Sequence, residues 1–562
     1  MLKNGCALLV LVLLVSAVTA PAHAQTHVRF NSVLPKINCD SRGTQFCADR
    51  ESHKNYEGYY IGHDEPALIF YSNMKGSGNS GVYLLTLPKD PPTVPTQDGS
   101  GGTWNFQLHP AFWAGMAICD SQSFPEYTTE CEPDSDKNIF DSPNPNNPHF
   151  IGKHTGTAFM EMQFYPPGWF GSPQLVDPVN YFAALNIDSL NVNGATGELN
   201  NLACLETVGE EPVNFAVITK NGIPIFPPNP LGANFGNNSP DLTNVLEMAP
   251  GDQILLILHD TPSGLEVIVQ DLTSGESGFM IASASNGFGQ VLFQPASTTC
   301  NVAPYDFHPM YATSNEHTRV PWTPHSFNTA FSDEIGHFEF CNNANLAPPF
   351  ACTAAGVQDG TSVDADDTFC FGPWDPFFPG PPFQQIGGCT NAELDFDGSP
   401  YGPNWPGTFA NPATDQRVHA EPITFAGPLF FGPPGLKNYQ RVAFETDMAD
   451  IEAINGTCDP ITGGGCVLPA PGMQFYPIYT TSSAGGGCSW QLGGALIPDT
   501  TDTFGGTSTT AYGPVTSFIF QTGPTSAIPV FADFHRGLNS NPCPASVADL
   551  EGRANAAVKH NH

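Results

Sequence analysis

Glycine and proline punctuate this chain so often, with 56 and 55 copies in 562 residues, that little of it is free to run as a long helix. Proline removes a backbone donor and glycine carries the largest conformational entropy cost of any residue. What lies between the breakers is short and rich in branched and aromatic residues. The segments 67–71, 81–87, 158–165, 214–219, 253–259, 265–272, 338–341 and 517–521 read as strands, most of them bounded by Gly, Pro, Asn or Asp. Helical spacing is confined to 545–558, with a shorter turn at 447–454. The expected fold class is therefore all-β. Within it, 251–275 has the order strand, Thr-Pro-Ser-Gly turn, strand, turn, a hairpin of the kind sandwiches stack.

Export is the second constraint. Lys3, the apolar run 7–15 and the small-residue site Ala22-His23-Ala24 read as a signal peptide over 1–24, so the mature chain from Gln25 is expected to be secreted, either extracellular or periplasmic. No later run approaches the roughly 20 apolar residues of a spanning helix, so no transmembrane segment is expected. Of fifteen cysteines, Cys6 lies in the leader, and an even remainder in an exported chain implies disulfides. Cys39/Cys47, Cys119/Cys131 and Cys458/Cys466 are close enough to staple single loops. Cys204, Cys300, Cys341, Cys352, Cys370, Cys389, Cys488 and Cys543 offer longer closures whose connectivity spacing does not fix. The chain has no Cys-x-x-Cys pair, which argues against structural zinc. Eighteen basic residues against 54 acidic ones, a net charge of −36, argue against a nucleic-acid partner, since phosphate binding needs clustered Lys and Arg.

Faint internal echoes suggest duplication. Phe307-His308-Pro309-Met310-Tyr311-Ala312-Thr313-Ser314 returns as Phe475-Tyr476-Pro477-Ile478-Tyr479-Thr480-Thr481-Ser482; Met162-Gln163-Phe164-Tyr165-Pro166 matches 473–477; and Thr157-Ala158-Phe159 recurs as Thr329-Ala330-Phe331. Such spacing suits tandem β-sandwich units of jelly-roll type with long Pro/Gly-rich loops, the Pro-rich stretches 88–95, 224–230 and 373–382 among them. Recurrence by composition alone is the competing explanation. The expected organisation is one sandwich over 25–300, a second over 301–543, and a tail over 544–562 carrying a short helix.

Chemistry is concentrated in four places. In 158–165, two-residue alternation sends Phe159, Glu161, Gln163 and Tyr165 to one face and Met160, Met162 and Phe164 to the other. With Trp169 beyond, that face combines a carboxylate, an amide and aromatic rings, the groups that recognise sugar hydroxyls and the apolar patches between them; a plain solvated sheet face has the same pattern. In Asp333-Glu334-Ile335-Gly336-His337-Phe338-Glu339-Phe340-Cys341, His337 and Glu339 share one face, resembling half of a zinc-deaminase signature without its Pro-Cys-x-x-Cys half. Cleaving a glycan requires two carboxyls, and Glu161 with Glu339 or Asp333 is the candidate pair. Gln163, Tyr165, Trp169 and His337 are candidate substrate contacts. Acidic loops containing Asp364 and Asp366, and Asp395 and Asp397, have the alternating carboxylates that a structural calcium ion accepts. Finally, His308, His317 and His325 with Met310 form a candidate copper set.

The segments 157–169 and 332–339 resemble a group of exported bacterial proteins, a likeness that covers most of the mature chain and implies no particular activity. The 251–275 hairpin is similar to those of concanavalin-A-like lectins and glucanases; the likeness is architectural and implies a sandwich only. The leading expectation is a secreted protein that binds, and in one version hydrolyses, an extracellular glycan or related polymer. A non-catalytic surface or structural protein, and a copper-dependent oxidase on tandem sandwiches, are the alternatives.

Overall fold

A computed structural model describes residues 67–89, 112–123, 157–165, 179–193, 198–209, 211–233, 242–309, 314, 329–333, 341–344, 352–355, 423–448, 479–482, 487–492, 516–521, 527–538 and 540–561. The described chain is predominantly antiparallel β-sheet with two helices. One sheet has nine strands in the spatial order Thr516–Gln521, Ala527–Leu538, Arg441–Met448, Ala67–Tyr71, Thr329–Asp333, Phe112–Cys119, Thr157–Tyr165, Phe182–Asp188 and Val213–Val217. The other has eight: Ser277–Ile281, Gly264–Asp271, Gln253–Thr261, Ser80–Thr86, Thr424–Phe431, Ser489–Leu492 and Tyr479–Ser482 in sequence of pairing, with Leu436–Asn438 added to Thr424–Phe431.

The two sheets share one core. Leu68, Phe70, Met116, Ile118, Met160, Met162, Phe164, Leu185 and Ile187 from the first pack with Tyr83, Leu85, Ile254, Leu256, Leu258, Val267, Val269 and Phe425 from the second. Alternation explains who goes where: in Thr157–Tyr165 the even-numbered residues enter this core and Phe159, Glu161, Gln163 and Tyr165 take the outer face. Gln253–Thr261 instead is apolar on both faces, because Leu255 and Ile257 are buried with Ala545, Leu550, Ala554 and Ala557 under the C-terminal helix Val547–Asn561. On the outer face of the nine-stranded sheet, Tyr165, Phe182, Phe215 and Val217 are covered by Phe226 and Val245. At one side the sheets touch: Phe279 donates its N–H to the Thr219 carbonyl at 3.0 Å. Gly278 permits this approach, since a Cβ there would stand 2.9 Å from the same oxygen.

Strands from either side of residue 300 enter both sheets, so the expected boundary there does not separate one sheet from the other. Two of the echoing segments, 157–159 and 329–331, lie in strands that flank the same partner, Phe112–Cys119, in a single sheet. Asp447 and Met448, expected to open a helical turn, instead end the strand Arg441–Met448, where they pair with Asp533 and Ala532. The expected C-terminal helix is present. A second, short helix, Leu202–Val208, is capped by the Asn201 side chain, which accepts from the Cys204 N–H. Cys204 joins Cys300, and Cys488 joins Cys543, the latter tying the eight-stranded sheet to the approach of the C-terminal helix. Cys119 is disulfide-bonded as well. Among the described residues no helix is long and apolar enough to cross a membrane. The signal peptide lies outside them.

Candidate functional site

Glu161, Gln163 and Tyr165 stand in a row on the outer face of the nine-stranded sheet, joined by their own hydrogen bonds. Tyr165 Oη donates to Gln163 Oε1, and Gln163 Nε2 donates to Glu161 Oε2 at 2.7 Å. The neighbouring strand Phe182–Asp188 places Asn186 opposite Glu161, and Asp188 opposite Phe159. Asn186 Nδ2 lies 3.3 and 3.4 Å from the two Asp188 carboxylate oxygens. One strand further on, Glu211 precedes Val213, which pairs with Asp188. Three strands thus bring Glu161, Asp188 and Glu211 to one patch.

The floor of the patch is dry and its rim is open. Gln163 is 7% exposed, Asn186 7% and Tyr165 3%, whereas Glu161 and Asp188 are half-buried and Glu211 is exposed. On the other flank, Trp113 and Phe159 pack edge to face over Gly115, which pairs with Glu161. Burial first, then the neighbouring Glu161 and Glu211 charges, hold the Asp188 carboxyl well above the usual carboxylate range. Desolvation by the surrounding protein pushes Glu211 to about 7, although solvent still reaches its side chain. The Tyr165 phenol is raised too, by burial and then by Glu161 and Asp188, so it remains a donor. Carboxyls whose surroundings push their proton affinities upward beside a third carboxylate are the raw material of acid–base chemistry.

Aromatic stacking surfaces are another matter. Tyr165 stacks on Phe182 with centroids 4.8 Å apart, and Phe215 on Phe226, all four buried against each other. Among the described residues these rings serve the fold rather than present a flat plate to solvent.

The other sequence candidates fall as follows. Asp333 pairs with Phe112, three positions along that strand from the Gly115 that pairs with Glu161, so the two candidates occupy positions of opposite parity. Glu339, His337, Trp169, Asp364, Asp366, Asp395 and Asp397 lie outside the described residues. His308 Nδ1 meets Asp260 Oδ1 at 2.7 Å, while Met310, His317 and His325 lie outside the described residues. A second such pair, His259 Nε2 with the buried Glu266 Oε2 at 2.7 Å, joins adjacent strands of the other sheet. No group of three His, Cys, Asp or Glu among the described residues is arranged to hold a metal ion. Sequence reasoning missed Asn186 and Asp188. Their signal was the alternation of Phe182-Ala183-Ala184-Leu185-Asn186-Ile187-Asp188, in which 183, 185 and 187 enter the core.

No protein-family model matches the chain, and neither a curated protein nor a solved structure shows significant similarity to it. Function must be argued from the site.

Proposed function

We propose that the protein is exported and binds an extracellular glycan or related polymer on the outer face of its nine-stranded sheet, hydrolysing it through the carboxyls gathered there. The observation that carries this reading is the convergence of Glu161, Asp188 and Glu211 on one half-open patch floored by the Gln163 and Asn186 amides. Glycoside hydrolysis asks for one carboxyl that protonates the leaving oxygen and one carboxylate that serves as nucleophile or activates water. Amides beside them suit hydroxyl recognition. Two described disulfides agree with an oxidising exterior. At the finer level of architecture, we read the shared core as one lectin-like sandwich in preference to a tandem pair of jelly rolls, because both sheets draw strands from both sides of residue 300. Structural calcium on the loops carrying Asp364, Asp366, Asp395 and Asp397 stays part of the proposal.

A glycan array and a reducing-sugar release screen on the whole protein, repeated with Glu161→Gln and Asp188→Asn, test the reading. The expected result is polymer binding by all three proteins and release of sugar by the parent alone, with each variant down 100-fold or more. Absence of binding to any polymer would leave the non-catalytic surface protein in its place.

A further inference from the structure

Resting on that reading, we infer that the Glu161–Asp188 pair is divided by its hydrogen bonds, Glu161 carrying the negative charge and Asp188 the proton, with Tyr165 and Gln163 as positioning residues that enforce the division. The argument begins at the phenol. A tyrosine hydroxyl buried on the sheet face has a proton to give, and Tyr165 gives it to Gln163 Oε1. That contact settles the orientation of the Gln163 amide: its oxygen faces Tyr165, so its NH2 faces Glu161. Glu161 Oε2 can answer an N–H only as an acceptor. It does so at 2.7 Å, within the range of a bond to an ionised group, where neutral N–H···O contacts centre near 2.9–3.0 Å. Charge on Glu161 is therefore supported by a donor that cannot turn away without losing its own partner.

Asp188 receives no equivalent. Its closest donor among the described residues, Asn186 Nδ2, stands back at 3.3 and 3.4 Å, too far for a strong bond to a carboxylate. Asn186 itself is nine-tenths buried, and its Oδ1 has no hydrogen-bond partner. An unmade acceptor in a dry site is costly. Half a turn of the Asn186 amide, with some closing of the 3.3 Å gap, would offer Oδ1 to a carboxylic proton on Asp188 and move the NH2 to the place Oδ1 leaves. The groups that bear on the Asp188 proton are then Glu161 from Thr157–Tyr165 and Glu211 ahead of Val213–Val217, both acidic and both favouring protonation, while the burial that raises Asp188 acts in the same sense. In the proposed hydrolysis, Asp188 would be the acid and Glu161 the nucleophile or base.

Difference infrared spectroscopy of the carboxyl stretch reads where the proton is without calling on any activity. Asp120 and Glu211 also hold protons near neutrality, so the spectra are compared in an Asp120→Asn/Glu211→Gln background; there a protonated-carboxyl band is expected at neutral pH, which Asp188→Asn should abolish and Glu161→Gln should leave in place, shifted to lower apparent proton affinity by loss of the neighbouring charge. Tyr165→Phe and Gln163→Leu should each move the ionisation of Glu161 upward in pH, and in an active enzyme move the acid limb of the pH–rate profile the same way. A band that survives Asp188→Asn and disappears in Glu161→Gln would reverse the assignment. Thermal unfolding of each variant separates this from misfolding, and Gln163→Asn, which retains an amide but shortens it, should reproduce the shift of Gln163→Leu. Failure of the glycan screen with the infrared result intact would remove the proposed substrate and keep the proton assignment.

Discussion

Asp120 supplies the most exacting test of how this sandwich is held together. It follows the strand Phe112–Cys119 and is 1% exposed. Its Oδ1 accepts from the Gln122 N–H at 2.9 Å and from Gln290 Nε2 at 3.1 Å, and its Oδ2 accepts from Ser189 Oγ at 2.7 Å. Those donors favour the charged form, yet burial outweighs them and pushes the carboxyl from 3.8 to about 6. The folded state therefore binds this proton more tightly than the unfolded state. The stability it contributes is complete below about pH 3.8 and is lost as pH rises through about 6. At 1.36 kcal/mol per pH unit, the interval corresponds to about 3 kcal/mol. Asp120→Asn imitates the protonated acid: Oδ1 keeps both donors, and Ser189 need only reverse its hydroxyl to accept from the new NH2. Denaturant midpoints with the disulfides intact should show the variant equal to the parent near pH 4 and more stable near pH 7, by up to about 3 kcal/mol less whatever the neutral hydrogen bonds lose. A variant weakened equally at both pH values would refute the reasoning, since it would mean that the hydrogen bonds outweigh the desolvation they oppose.

Gly115→Ala should destabilise the nine-stranded sheet by about 1–3 kcal/mol in the same assay, because the new methyl would meet Phe159 Cζ at 2.4 Å and Trp113 Cζ3 at 2.6 Å. Replacing Cys204 and Cys300 together by alanine opens a closure 96 residues apart in sequence, for which the chain-entropy account gives a loss of about 4 to 5 kcal/mol; a drop below about 1 kcal/mol would show that the unfolded chain is not held by that link.

Much of the strand inventory was legible because short apolar runs between breakers have few other fates. The run 67–71 is an example, expected and observed over the same residues. Phe112–Cys119 escaped because its middle is Ala-Gly-Met-Ala, with little β-branching to mark it. Its small residues make sense only in the sheet, where Gly115 lies beneath the rings of Trp113 and Phe159. The helix Leu202–Val208 is too short to show a period, and depends on the Asn201 cap and on Cys204 being bonded to Cys300. Strand order was not legible at all: Ala67–Tyr71 lies between Arg441–Met448 and Thr329–Asp333, and no local pattern encodes pairings over such distances. The site divides in the same way. Alternation alone aligned Glu161, Gln163 and Tyr165, but the pairing of Glu161 with Asn186 is a property of register between strands, so Asp188 stayed hidden beside it.

Asp120 and Asp188 both bind protons more tightly in the folded chain than isolated carboxyls do, and for the same first reason, burial. Their contributions to stability have one sign, growing as pH falls from neutral toward 4. A chain with a net charge of −36 adds a second effect of that sign, because titrating surface carboxylates relieves general self-repulsion. The two can be told apart by salt. Repulsion among exposed charges is screened over about 10 Å at 0.1 M ionic strength, whereas a desolvated carboxyl is screened far less. If burial is the cause, raising salt should lift stability at neutral pH yet leave most of the slope between about pH 4 and 7, and Asp120→Asn should remove the same part of that slope at either ionic strength. A slope that vanishes in salt would place the effect on the surface and take the buried carboxyls out of the account.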